Sequence, residues 1–86
     1  MNINELIAIV KKKLETEIVI QDLKIEDKSF LHKNHNSHQE GKFHLKLIIK
    51  SDELTKSSKI ISTKKIYSIL DLELKEYIHS IQILLN

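Results

Sequence analysis

The sequence predicts an α+β domain of order αββαβ: a three-stranded mixed sheet with helices packed on one face. Three observations predict it. An amphipathic helical stripe opens the chain, stretches of β-branched and alternating apolar residues follow it, and a second helical stripe stands between the last two of these. The 86 residues suffice for one domain, taken as 1–86.

Asn2 to Glu15 reads as a helix because Ile3, Leu6, Ile7, Val10 and Leu14 recur at helical spacing. Asn2, with Glu5 three residues later, has the form of a capping box. Lys11, Lys12 and Lys13 fall in the last turns, where cations suit the helix dipole. They read as a solvated face or, more sharply, as an anion-binding patch. Glu17 to Asp27 reads as a strand, rich in β-branched Ile18, Val19, Ile20 and Ile25. Ile18 and Ile20 share one parity while Leu23 and Ile25 share the other, so a bulge or strong twist is expected near Gln21–Asp22.

Lys28 to Lys42 is polar and aperiodic, and includes Gly41, the only Gly. It is long for a simple connection, and long loops often carry function. Phe43 to Ser51 is the clearest strand. Phe43, Leu45, Leu47 and Ile49 face one way; His44, Lys46, Ile48 and Lys50 face the other. It should pair antiparallel with the first strand. Ser51 to Ser58 is a connector with a helical turn at Asp52–Thr55. The second main helix lies within Lys59–Tyr77, starting near Ser62, with Ile66, Ile69, Leu70, Leu74 and Tyr77 inward. Glu73 and Glu76 are placed outward as solvating charges. Ile78 to Leu85 is the last strand. The helix before it acts as a crossover, so the second and third strands should pair in parallel.

Composition narrows the functions. Cys is absent, which excludes disulfides, thiolate metal sites and a cysteine nucleophile. One Gly cannot build a P-loop or a dinucleotide-binding turn, and no G-x-S-x-G occurs. A non-enzymatic role without a small-molecule substrate is expected. Met1–Glu5 lacks signal-peptide character, and no apolar run approaches the roughly 20 residues of a membrane span. A cytoplasmic chain without membrane contact, monomeric on its own, is expected. The net charge is +2, and all 14 basic residues are Lys. Without Arg, bidentate phosphate or guanine contacts are missing, and nucleic-acid binding would rest on Lys point charges.

Four of the five His fall between positions 32 and 44: His32, His35, His38 and His44. Neutral imidazole suits borderline metals, so these are candidate ligands. Structural zinc usually takes four ligands, often including Cys, so a merely polar His-rich loop is the plain alternative. His79 shares the parity of Ile81 and reads as partly buried. Lys59, Lys64 and Lys65 are candidate phosphate contacts, or the solvated start of a helix.

The chain resembles the BolA family in four places. Asp27-Lys28-Ser29 followed by His32 resembles its D-x-S segment and following His. His44-Leu45-Lys46-Leu47-Ile48-Ile49-Lys50-Ser51 resembles its H-F-K-V-V-I-V-S strand, with Leu45 for Phe. Lys64-Lys65-Ile66-Tyr67 with Leu70 resembles R-x-V-Y-x-x-L, and Ile78-His79-Ser80-Ile81 resembles I-H-A-L. The resemblance implies an αββαβ fold similar to class II KH domains. It implies partnership with a monothiol glutaredoxin and a shared [2Fe–2S] cluster, in iron–sulfur trafficking or iron regulation; some bacterial members are DNA-binding regulators. It also implies cluster ligands from the start of the second helix and from the loop between the first two strands. The helix position is Thr63 here, and a Thr hydroxyl is a poor iron ligand beside imidazole. The loop position falls on His35 or His38, with His32 or His44 behind them. Either two loop imidazoles serve, or the partner is bound without a cluster through Thr63, Lys64, Lys65 and Tyr67. The family's F-x-G-K turn becomes Leu54-Thr55-Lys56-Ser57, without Gly. DNA binding through Lys59, Lys64 and Lys65, or through Lys11–Lys13, is the alternative. The chain has no G-x-x-G loop, so KH-type clamping of a nucleic-acid backbone is not expected.

Overall fold

In a computed structural model, residues 1–29 and 42–86 are described. Helix α1 spans Ile3–Glu17. Asn2 caps it, its Oδ1 accepting the Glu5 N–H at 2.8 Å while its amide donates to Glu5 Oε1 at 3.0 Å. Leu6, Val10 and Leu14 are buried along one stripe. Strand β1 is Asp22–Asp27, β2 is Phe43–Lys50 and β3 is Ile78–Leu85. Between β2 and β3 lie α2 (Asp52–Thr55), α3 (Lys59–Ile69) and α4 (Asp71–Glu76).

The sheet order is β1-β2-β3, antiparallel then parallel. Ile25, Leu47 and Ile83 are aligned across it, as are Leu23, Ile49 and Leu85. Directly opposed residues share a face, so these side chains form one apolar layer. With Leu6, Val10, Leu14, Ile66 and Leu70 they make the core. The α+β architecture with a mixed three-stranded sheet is as expected, including the turn at Asp52–Thr55.

Two boundaries differ. The first strand begins at Asp22, five residues later than its sequence suggested. Ile18 follows Leu14 by four residues, extends the helical stripe, and caps α1 with its own side chain buried. Burial on the helix face outweighs the β-propensity of Ile18–Ile20. Val19 is exposed, and the parity break is the passage from helix cap to strand, with no bulge in β1. The register irregularity lies instead between Phe43 and His44, where β2 meets β3.

The second helix starts at Lys59, not near Ser62, and is divided at Leu70. Ser58 caps it, its Oγ accepting the Ile61 N–H at 3.2 Å. Ser62 is buried because its hydroxyl donates to the Leu54 carbonyl at 2.6 Å, joining α3 to α2. Ser58→Ala should cost about 1 kcal/mol, read as a lower urea midpoint at unchanged m-value.

Glu73 is the third correction. It is not a solvating charge but is buried, with Lys13 Nζ 2.6 Å from its Oε2. Helix α4 therefore packs one acidic side chain inward against α1.

Candidate functional site

Both β2 and β3 start at one end of the sheet, beside the end of β1. Asp27 pairs with Leu45, and Phe43 donates its N–H to the Tyr77 carbonyl at 2.9 Å. Ser29 and Lys42, the described residues on either side of the segment 30–41, therefore both stand at this end. His32, His35 and His38 lie outside the described residues.

His44 stands here, on the face opposite the helices, yet it is 5% exposed. The Asp27-Lys28-Ser29 segment holds it. Asp27 Oδ1 accepts the Ser29 N–H at 2.9 Å, an Asx turn that fixes Ser29. Ser29 Oγ accepts the His44 N–H at 3.0 Å, and the Lys28 N–H donates to the His44 carbonyl at 2.7 Å. On the ring, Nδ1 shares a 2.6 Å hydrogen bond with Ser80 Oγ. Two backbone hydrogen bonds fix the position of His44, and the ring contact with Ser80 orients its imidazole.

His79 lies beside it, ring centroids 4.8 Å apart and planes inclined by 53°. It is exposed, against the partial burial that its parity suggested. The register shift at Phe43/His44 explains this, since it interrupts the alternation through which His79 was aligned with Ile81. No group of three or more metal-ligating residues forms among the described residues. A pair of imidazoles can supply part of a coordination shell, and the rest must come from elsewhere.

The residues assigned to the second helix form a separate place. Lys59, Thr63, Lys64 and Tyr67, with Ile60, Ser68 and Asp71, line an open groove of about 610 Å³ along α3. Lys59 also borders Leu84 and Leu85, the last residues of β3. The start of α3 is thus at the far end of the sheet from the loop's anchors. An arrangement with Thr63 beside those anchors is not what the structure holds.

Lys65 is not in the groove. It points to α2 and pairs with Glu53 Oε2 at 2.9 Å. That hydrogen bond, with a smaller contribution from the Val19 N–H, holds the Glu53 carboxyl below the usual carboxylate range. The Lys11–Lys13 patch is likewise divided, because Lys13 is paired with Glu73. Of the three Lys proposed for phosphate contact on α3, Lys59 and Lys64 share the groove with Asp71.

The profile of the BolA-like protein family matches residues 14–86. The chain belongs to the BolA-like family. Among curated proteins none matches it. The BolA domain of SufE1 from Arabidopsis thaliana is similar in structure at a TM-score of 0.78 and 28% identity, covering 100% of this chain and 93% of that one. BolA1 from Arabidopsis thaliana is similar at a TM-score of 0.76 and 23% identity, covering 92% and 87%. A bol-like protein from Babesia bovis follows at 0.70 and 18%, covering 91% and 79%. The last two establish fold alone. In this BolA-like chain, the D-x-S segment anchors the backbone of His44 at the mouth of the loop. Among the described residues, no helix is long and apolar enough to cross a membrane.

Proposed function

We propose that this BolA-like chain is a non-catalytic interaction protein that docks a monothiol glutaredoxin and shares a [2Fe–2S] cluster with it as cargo. The observation that carries the reading is the exposed His79 imidazole set against the anchored His44, at the end of the sheet from which the His-bearing loop departs. Imidazole nitrogen is a proper donor to iron in such clusters, whereas a hydroxyl is not. Ligation is therefore assigned to His79 together with His35 or His38, and Thr63 is a surface position on α3. His44 is a positioning residue: its ring is buried and bonded to Ser80, and it backs His79.

The test is titration with apo and cluster-loaded monothiol glutaredoxin. Loaded partner should shift the NMR signals of Ser29, His44, His79 and Ser80, and change the visible circular dichroism of the cluster. His79→Ala should bind but leave that spectrum unchanged. Thr63→His should behave as the wild type. Absence of binding by either form of the partner overturns the reading. A spectral change that survives His79→Ala removes His79 as a ligand.

A further inference from the structure

The two edges of the sheet differ in chemistry. Strand β1 carries Asp22, Lys24, Glu26 and Asp27, so four of its six residues are charged. Charged edge strands resist pairing, because joining them to another chain desolvates the charges. Strand β3 is the other edge and, among the described residues, pairs only with β2. Its eight residues, Ile78–Leu85, include no Asp, Glu, Lys, Pro or Gly. On its helix side Ile81, Ile83 and Leu85 are only half-buried, and on the other side Leu84 is 39% exposed. A long uncharged edge with no strand on its outer side among the described residues, and with unfinished apolar burial on both faces, is a template for another strand.

We propose that β3 pairs antiparallel with β3 of a second copy of this chain, joining two sheets into one of six strands across a two-fold axis. Self-pairing suits this strand because no like charges meet in any register. A register centred on Gln82 places Ile81 opposite Ile83 of the second copy and Ser80 opposite Leu84. Equal parity keeps each apolar row on its own face. Such an interface is isologous and closes at two copies, leaving the charged β1 edges outermost. The proposal does not depend on glutaredoxin binding and departs from the monomer that the sequence suggested.

Sedimentation equilibrium from micromolar to millimolar protein tests it. The mass should rise with concentration from 10.1 kDa to twice that value and no further. Gln82→Lys and Gln82→Glu should each remain monomeric, because two like charges then meet at the axis. Their equimolar mixture should regain the doubled mass. Gln82 is exposed and stands beside Lys46, so Gln82→Glu gains a favourable neighbour and its folding is not threatened. A wild type that stays at 10.1 kDa throughout overturns the proposal. So does a dimer unaffected by either substitution, or growth beyond two copies. A monomer whose β3 amides shift only on adding glutaredoxin also overturns it, and gives the edge to that partner.

Discussion

Leu47→Ala should lose about 3–5 kcal/mol of unfolding free energy in urea titration, the upper range for a Leu whose site cannot collapse. Leu47 is fully buried in the central strand, between Ile25 of β1 and Ile83 of β3. Strands on both sides hold its backbone, so a cavity there has little means of closing. For 86 residues the whole stability should be only about 4–13 kcal/mol. The variant should therefore lose about a quarter or more of the total and unfold at a much lower urea midpoint than the wild type. Ile48→Ala provides the control, since Ile48 faces the opposite side and is half-buried. It should cost about 1 kcal/mol, the transfer free energy of a partly covered side chain. Equal losses from the two neighbours would show that the core is not confined to one face of the sheet.

The parity of Phe43–Ser51 made that contrast legible in the sequence. Strict alternation has one structural reading, and the strand follows it from Leu45 to Lys50, departing from it only at Phe43 and His44, where the register is irregular. The helix start at Asn2 was equally legible, because capping is local chemistry. Ile18–Ile20 was not. Those residues have strand propensity, but Ile18 also continues the helical spacing from Leu14, and only the assembled core decides between the two. Glu73 was hidden for a related reason. The residue that draws it inward is Lys13, 60 positions away, and no periodicity encodes such a pairing.

The candidate site was legible by composition and less so by place. Asp27-Lys28-Ser29 and His44 were recognisable as motif pieces, and the hydrogen bonds now join them into one unit. His79 was in view as part of the closing strand, yet parity assigned it to the half-buried row. The register sets Ser80 opposite His44 and leaves His79 in the irregularity beside Phe43, which leaves no mark in composition. Thr63 was linked to the loop through the resemblance alone. Strand direction gives the counter-argument: a crossover helix starts where β2 ends, while the loop is attached where β2 begins. Lys65 followed from a run of cations, but its engagement by Glu53 joins α3 to α2 across 12 positions, a tertiary pairing that no local pattern encodes.

Lys13→Met should be more damaging than its partly exposed position suggests. The Lys13 side chain is 38% exposed, whereas that of Glu73 is 3% exposed. Among the described residues, Lys13 is the only cation within ion-pair distance of this carboxylate, which is enclosed between α1 and α4. A fully enclosed pair broken in this way costs about 3–5 kcal/mol. Solvent reaches the Lys13 end, so a loss of about 1–3 kcal/mol is expected here. Glu73→Gln should cost less, because it leaves no uncompensated charge in the interior. The decisive variant is the double one. Lys13→Met with Glu73→Leu replaces both charges by apolar groups of similar size and should return stability to the wild-type level or above it. A double variant as unstable as Lys13→Met would mean that the loss comes from altered helix packing, because the carboxylate left without its cation is then no longer present to cause it.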